Sequence, residues 1–261
     1  MAATGTIVAL NPSELFALPN DKDIGIQLYS IRDLVQSDLA GSLKKLAAIG
    51  YKTIETADYR NRKFYGMEPA AFKDMVINTG LSALSSHSSL SLENIEPAVE
   101  DAVKAGMKYL VLPSIPAERR KTIDDYKAIA AELNEMGEVC SKAGLTLGYH
   151  NHAFEFEKID DKIPYDVLLE NTEASLVTMQ IDTYWIHYGG YSSEEYFKKY
   201  PGRFKMWHIK DMAGGDEMES TEIGSGILDF QSIYKLRKKA GMECMIVEQE
   251  HFKIDPWDSL A

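Results

Sequence analysis

KAGLTLGYHNHAFE, at residues 142–155, places a helix end, a buried strand and a polar cluster in one short stretch. Gly144 follows a helical segment, and a glycine past a helix end adopts the left-handed conformation at little cost. The small and apolar residues 145–148 are typical of a buried strand, and His150 and His152 follow at its end. Because strand side chains alternate with period two, both histidines are expected on the same side. A polar loop whose histidines meet only water is the alternative.

The same pattern, a helix end at glycine followed by an apolar run, occurs elsewhere in the chain. It is found in AAIGYKTIE (47–55), NTGLSALSSH (78–87), KAGMKYLVLP (104–113) and KAGMECMIVE (239–248). Further apolar runs without the glycine are DIGIQLY (23–29), LVTMQID (176–182) and FKMWH (204–208). Together they predict strands that begin near residues 24, 52, 81, 108, 145, 177, 204 and 243. Such runs suit a parallel sheet, and their spacing predicts an α/β fold, a (β/α)₈ TIM barrel over residues 23–261.

Helices are predicted between these strands, at 38–49, from Pro69, at 122–143 and at 229–240, with Asp229 as an N-cap. Only WDSLA follows Pro256, so the eighth helix is expected to be short or truncated. Residues 1–22 precede the first strand and are interpreted as an N-terminal extension. The polar segment 212–226 follows strand seven and is expected at the barrel face where active sites occur.

The composition limits the classes of function open to the chain. Of its 261 residues, 45% are hydrophobic, which supports one large core. There are 40 acidic and 28 basic residues, which give a formal net charge of −12. General binding to nucleic acid needs a basic face, so no nucleic-acid partner is expected. No apolar run is long enough to span a membrane, so no membrane partner is expected either.

The two cysteines and the N-terminal residues bear on the compartment. Cys140 and Cys244 fall in predicted buried elements and are interpreted as inert core thiols, with a disulfide as the alternative. Residues 1–19 lack the basic region with which a signal peptide begins. We therefore expect a cytoplasmic protein, or a periplasmic one if a signal peptide has been removed. A homo-oligomer is compatible with the sequence but not indicated by it.

The C-terminal ends of the strands line one mouth of a (β/α)₈ barrel, and reactive residues concentrate there. His150, Asp182, His208 and Glu248 stand at the ends of strands five to eight, where they can converge on one divalent metal ion. Mixed nitrogen and carboxylate ligands suit Mn²⁺, Zn²⁺, Co²⁺ or Fe²⁺, whereas mainly oxygen ligands favour Mg²⁺. The alternatives are that Asp182 caps the next helix, that Glu248 pairs with Lys210, and that His208 is a satisfied core histidine.

A second group near the same mouth has the chemistry to hold sugar hydroxyls or to move protons. The predicted substrate-binding residues are His87, Glu55, Glu155, Tyr29 and Trp185. Aromatic rings can stack on a sugar ring, with core packing as the alternative. The residues predicted to take part in catalysis are Glu248, His150, His152 and Lys210.

These residues and their surroundings resemble the sugar phosphate isomerase/epimerase superfamily with the xylose-isomerase-like TIM barrel, in its YHNH branch. The matching segments are GIQLYSIRD (25–33), IGYKTIE (49–55), YHNHAFEF (149–156), QIDTYW (180–185), YPGRFKMWHIKD (200–211), IGSGILDF (223–230) and IVEQE (246–250). They run in order along almost the whole chain. They do not identify a substrate, because this fold hosts isomerases, epimerases, dehydratases, lyases and a nuclease.

The resemblance implies a divalent metal held by Glu, Asp, His and Glu on strands five to eight, with the two glutamates moving a proton on opposite faces of the sugar. Asp182, His208 and Glu248 match three of these positions, and His150 replaces the strand-five glutamate. We therefore expect a metal-dependent sugar isomerase or epimerase that removes a proton beside a sugar carbonyl, through an enediolate. A 3-keto-glycoside lyase acting by β-elimination and a non-catalytic sugar-binding barrel are the alternatives.

Overall fold

The structure, a computed structural model, describes residues 24–216 and 218–261. Parallel strands form a closed barrel in which the last strand pairs with the first. They are β1 Gly25–Gln27, β2 Thr53–Thr56, β3 Ser82–His87, β4 Tyr109–Leu112, β5 Thr146–His150, β6 Val177–Asp182, β7 Met206–Ile209 and β8 Cys244–Val247. The predicted (β/α)₈ barrel is confirmed, and every strand begins close to its predicted start.

Helices connect these strands along the chain. They are α1 Arg32–Ser37, α2 Leu39–Ile49, α3 Pro69–Asn78, α4 Ile95–Ala105, α5 Ile123–Lys142, α6 Pro164–Asn171, α7 Thr183–Tyr188, α8 Ser193–Lys199, α9 Phe230–Lys235, α10 Arg237–Ala240 and α11 Pro256–Ser259. The helices predicted at 38–49, from Pro69 and at 122–143 are confirmed to within a residue. The last helix, α11, is short, as predicted.

The helix predicted at 229–240 begins and ends as expected, but it is interrupted at Leu236, so that the segment forms two helices, α9 and α10. Asp229 is the N-cap, as expected, and accepts a hydrogen bond of 3.0 Å from the Ser232 backbone N–H. The Leu236 N–H donates to the Ile233 carbonyl at 3.1 Å, three residues back. This tighter turn ends α9, and α10 begins after it.

The longest helix, α5, shows how local sequence sets the element ends. Thr122 Oγ1 accepts a hydrogen bond from the Asp125 N–H at 3.1 Å, and the Asp125 carboxylate accepts one from the Thr122 N–H at 2.8 Å. This reciprocal pair satisfies N–H groups that a helix start leaves without partners. After the helix, Gly144 has a φ of 79°, which turns the chain directly into β5. The glycine pattern of the sequence thus marks the junctions from helix to strand.

A small cluster of side chains fills the barrel interior. It is separate from the larger apolar cluster that contains most of the core. Tyr109, Val111, Met206 and Ile246 form the interior cluster. His208 lies two residues after Met206 in β7, and Glu248 lies two residues after Ile246, just beyond β8. Both side chains therefore lie on the same face as the cluster. An apolar interior therefore lies beneath a polar layer at the C-terminal mouth.

The polar segment at 212–226 contains part of a small hairpin after β7, in which Asp211–Met212 pairs with Ser220–Thr221. The buried Asp211 carboxylate accepts hydrogen bonds from the N–H groups of Gly224, Gly226 and Leu228. The segment therefore stands at the C-terminal end of β7, as expected.

Other predictions concern the chain ends, the thiols and membranes. The extension predicted at residues 1–22 lies outside the described residues. Cys140 and Cys244 are free thiols, the first buried and the second partly buried. Within 24–216 and 218–261, no helix has the length and hydrophobicity that a membrane span requires.

Candidate metal centre

Four side chains converge at the C-terminal mouth of the barrel. His150 and Asp182 end β5 and β6, His208 lies in β7, and Glu248 follows β8 directly. The strand register aligns Asp182 with His208. One candidate ligand atom from each residue lies within 4.8 Å of the other three, and all four residues are buried. The structure thus brings together all the residues that the sequence predicts as metal ligands.

Two of these residues carry a buried polar atom that has no hydrogen-bond partner among the described residues. The atoms are His150 Nδ1 and Asp182 Oδ2. An unsatisfied buried polar atom costs about 1–3 kcal/mol, so native proteins rarely keep two in one site. A divalent cation would satisfy both atoms. The available donors, two imidazoles and two carboxylates, fit Zn²⁺, Mn²⁺, Fe²⁺ or Co²⁺.

Asp182 uses its two oxygens differently. Oδ1 accepts a hydrogen bond of 2.8 Å from the Trp185 N–H and caps α7, so the helix-capping alternative is correct for this oxygen. Oδ2 lies 4.0 Å from His208 Nδ1 and 3.9 Å from Lys210 Nζ. Burial raises the pKa of Asp182 to about 7, and Lys210 offsets that rise only in part. Capping and metal binding are therefore compatible at this residue.

His208 is held between two carboxylates. Its Nδ1 lies 2.8 Å from Glu248 Oε2, and its Nε2 lies 2.6 Å from Glu55 Oε1. Burial alone would lower the pKa of His208, but Glu248 and Glu55 raise it to about 10. The ring therefore carries protons on both nitrogens in this arrangement. Coordination of a metal at Nδ1 requires the loss of one of them.

Lys210 provides the positive charge next to this site. Burial would lower its pKa, but Glu248 and Asp182 raise it, so Lys210 remains cationic. Its Nζ donates to Glu250 and lies 3.7 Å from Glu248 Oε2. Burial would raise the pKa of Glu248, but Lys210 and His208 hold it well below its usual range. Glu248 is therefore ionised, and its ion pair with Lys210 is longer than the one that Lys210 makes with Glu250.

A polar layer lies directly beneath the four residues. Its centre is Glu55, which has no exposed surface and is bonded to Gln27, Ser85 and Gln180 as well as His208. Burial would raise the pKa of Glu55, but His87 and His208 lower it to about 2.

Sequence reasoning missed Gln180 and Ser85 in this layer. Each lies two residues before a residue that it did identify, Asp182 and His87 respectively. Because the side-chain period of a strand is two, this spacing was the available signal.

Three other histidines, His87, His150 and His152, form a cluster of rings with His208. The ring centroid of His150 lies 4.7 Å from that of His208, 5.0 Å from that of His87 and 5.0 Å from that of His152. The two histidines of the YHNH segment, His150 and His152, therefore lie in the same region. This holds even though β5 ends at His150 and His152 lies beyond it. Burial lowers the pKa of His150 well below its usual value and that of His152 to about 4. Both rings are thus neutral at physiological pH, and each has a nitrogen lone pair that can bind a metal or accept a hydrogen bond.

The two predicted aromatic binding residues occupy different places. Trp185 lies beside the cluster, with its ring centroid 5.3 Å from that of His152. Tyr29 is 44% exposed, has the Arg32 guanidinium 4.7 Å from its ring centroid, and lines a cleft of about 430 Å³ beyond β1 and β2. Trp185 is therefore the aromatic residue of this pair that is close to the candidate metal ligands.

Glu155 is not part of the cluster at the mouth. It is fully buried, and its carboxylate accepts hydrogen bonds from the Tyr149 hydroxyl at 2.5 Å and from the His152 N–H at 2.9 Å. Tyr149 belongs to the hydrophobic core and points to the opposite face of β5 from His150. The position predicted to bind substrate therefore fastens the end of β5 to the core.

Burial of Glu155 should make the stability of the protein depend on pH. Burial raises the pKa of Glu155 to about 7, although the Tyr149 hydrogen bond opposes the rise. A raised folded-state pKa contributes stability that is present below the unfolded-state value and lost as pH rises through about 7. Between pH 5 and pH 8, the free energy of unfolding of Glu155→Gln should therefore gain about 2–3 kcal/mol relative to that of the native chain.

Urea unfolding at several pH values measures this difference. Glu157→Gln is the matched control, because Glu157 is exposed two residues away. Its unfolding free energy should stay parallel to that of the native chain. Parallel curves for Glu155→Gln as well would contradict the effect of burial.

Known proteins share the sequence and the fold of this chain to different extents. A sugar phosphate isomerase/epimerase from Parabacteroides distasonis is 31% identical, with a TM-score of 0.79 over 92% of this chain and 91% of that one. The IolI protein, whose crystal structure contains a zinc atom, is 13% identical, with a TM-score of 0.72 over 91% of this chain and 94% of that one, and supports the fold alone.

Inosose dehydratase from Clostridium beijerinckii is 28% identical over 144 residues, which are 49% of this chain and 48% of that protein. The chain thus spans about half the length of the curated relatives it matches. A family model described as the xylose isomerase-like TIM barrel matches residues 43–260, most of the barrel. The chain therefore belongs to the xylose isomerase-like TIM barrel family.

Proposed function

We propose that the protein is a metal-dependent sugar isomerase or epimerase, which removes a proton from the carbon beside a sugar carbonyl and returns it at another carbon or face. The observation that carries this proposal is the buried group of His150, Asp182, His208 and Glu248, whose ligand atoms lie within 4.8 Å of one another. Two buried atoms of that group, which have no hydrogen-bond partner among the described residues, add support, because a bound cation would satisfy them. The substrate would be a small carbohydrate.

The proposed cofactor is one divalent metal ion, held by these four residues. When bound there, the ion would act as a Lewis acid toward the carbonyl and neighbouring hydroxyl oxygens of the sugar and would stabilise negative charge on them. Lys210 adds a fixed positive charge, with its Nζ 3.9 Å from Asp182 Oδ2. In a buried site such a charge favours an enediolate over the neutral ketone. The nitrogen-containing ligand set favours a transition metal.

Glu248 and His152 are the best candidates for moving the proton. Glu248 is ionised and can therefore accept a proton from carbon. His152 is neutral, partly exposed at the mouth, and has a buried Nδ1 without a partner among the described residues. His150 is more deeply enclosed and serves better as a metal ligand. His87 is positioned to bind a substrate hydroxyl or to steady the oxyanion.

A second candidate function is β-elimination from the same carbanion. The observation that favours it is the absence of a second carboxylate at strand five, where His150 stands. Epimerisation by two glutamates is then not available, whereas elimination needs one base and an acid for the leaving group. Inosose dehydratases, among the relatives with similar sequence, carry names of this reaction class. The proposed alternative substrate is a 3-keto-glycoside.

Deuterium exchange in D₂O tests the proposed function. The protein is loaded with Mn²⁺ or Zn²⁺ and incubated with a panel of keto-sugars and 3-keto-glycosides, with chelator-treated protein as the control. We expect deuterium at the carbon beside the carbonyl in the loaded sample alone. A rearranged intact sugar supports the isomerase, and release of the aglycone supports the lyase. Binding of sugar without deuterium uptake across the panel would contradict both and favour a non-catalytic barrel.

A further inference from the structure

Glu55 has an unusually complete set of hydrogen-bond partners. Oε1 accepts from Gln27 Nε2 at 2.8 Å and from His208 Nε2 at 2.6 Å, and Oε2 accepts from Ser85 Oγ at 2.6 Å. Gln180 Nε2 lies 3.1 Å from the first oxygen and 2.9 Å from the second. These donors come from β1, β3, β6 and β7, so the carboxylate ties together strands on both sides of the barrel.

This environment leaves Glu55 unavailable for substrate. The residue has no exposed surface, and a carboxylate offers about four acceptor sites, which these donors fill. His87 Nε2 also lies 3.1 Å from Oε1. Glu55 is therefore a buried anion whose oxygens accept hydrogen bonds from protein side chains.

The fixed Glu55 carboxylate determines the orientation of the His208 ring. An imidazole that donates its Nε2–H to a fixed carboxylate keeps its ring orientation and leaves Nδ1 for a metal. Nδ1 is the nitrogen on the side of Glu248 and Asp182, at 2.8 Å and 4.0 Å from their nearest oxygens. Glu55 also steadies Gln180, whose Oε1 lies 2.6 Å from His87 Nε2.

We propose that Glu55 is a positioning residue of the metal centre, which fixes His208 as the Nε2–H tautomer so that Nδ1 can coordinate the ion. This inference rests on the proposed function, because it requires that the four-residue group binds a metal. It assigns to Glu55 a role that differs from the substrate contact predicted from the sequence.

Isothermal titration of chelator-treated protein with Mn²⁺ and Zn²⁺ tests the inference without an activity assay. Glu55→Gln should weaken binding about 10- to 100-fold, as is typical for the loss of a carboxylate behind a metal-bound histidine. Glu243→Gln is the matched control, since Glu243 is also an anion bonded to several groups, Lys108 and Tyr109 among them, but does not contact the cluster. Its metal affinity should equal that of the native chain.

The outcomes separate the two proposals. Failure of the native protein to bind either ion would overturn the proposed function and this inference with it. Tight binding by the native chain and equal binding by folded Glu55→Gln would overturn the inference alone.

If Glu55→Gln does not fold, ¹⁵N NMR of the metal-loaded native protein decides the matter. The His208 signal is assigned by its loss in His208→Asn. A proton on Nε2 supports the inference, and a proton on Nδ1 overturns it.

Discussion

Replacing Glu248 by glutamine is expected to slow deuterium exchange at the acidic carbon of the substrate by about 10³-fold, because a positioned acid–base group contributes about 10²–10⁴-fold to rate. Glutamine keeps the shape of the side chain but cannot accept a proton from carbon. It also removes the negative charge that lies 2.8 Å from His208 Nδ1, so metal affinity should fall as well. The rate is therefore measured at saturating metal.

Glu250→Gln is the matched control for this experiment. Glu250 lies on the same segment and bonds to Lys210, but it does not belong to the group of candidate metal ligands. We expect its exchange rate to fall by less than about tenfold, which corresponds to about 1.4 kcal/mol. Equal losses in the two variants would show that Glu248 acts only through the local charge balance.

Replacing Lys210 by methionine should destabilise the metal-free protein by about 3–5 kcal/mol, the usual cost of leaving buried charges without their partner. The Lys210 side chain is 1% exposed, and Glu248 and Asp182 would lose the cation that lies within 4 Å of each. Urea unfolding of chelator-treated protein measures the loss. Saturating metal should recover part of it, because the ion supplies positive charge to both carboxylates.

Lys199→Met is the matched control for Lys210→Met. Lys199 also pairs with an aspartate, Asp166, at 2.7 Å, but its side chain is 51% exposed. Exposed pairs contribute about 0–1 kcal/mol, so this variant should lose no more than that. A similarly small loss in Lys210→Met would contradict the picture of a buried charge network.

The barrel could be predicted from sequence because its strands are covered on both faces and therefore read as continuous apolar runs. The left-handed glycines at 80, 106, 144 and 241 mark where helices end before such runs. The interruption of the 229–240 helix at Leu236 could not be predicted, because it depends on which backbone carbonyl accepts the hydrogen bond from the Leu236 N–H. No proline or glycine marks that position.

The site was predicted only in part, for a different physical reason. Alternation along neighbouring strands correctly placed His150, Asp182, His208 and Glu248 on one rim. Two glutamates near the same rim, Glu55 and Glu155, have roles that depend on partners from other parts of the chain or on a turn.

Glu55 is enclosed by Gln180, which is 125 residues away in sequence, and by Ser85. Glu155 is carried away from the mouth by the 3₁₀ turn Phe154–Phe156 and reaches Tyr149 behind β5. Local pattern does not encode such contacts, so residue type alone suggested that both glutamates bind substrate.

Crystals of the protein grown with Mn²⁺, examined by anomalous diffraction at the manganese absorption edge, test the central claim most directly. We predict one strong peak at the barrel mouth, with His150, Asp182, His208 Nδ1 and Glu248 within about 2.0–2.4 Å of it. A mouth without anomalous density at saturating Mn²⁺ and Zn²⁺, or an ion bound by other residues there, would contradict the account.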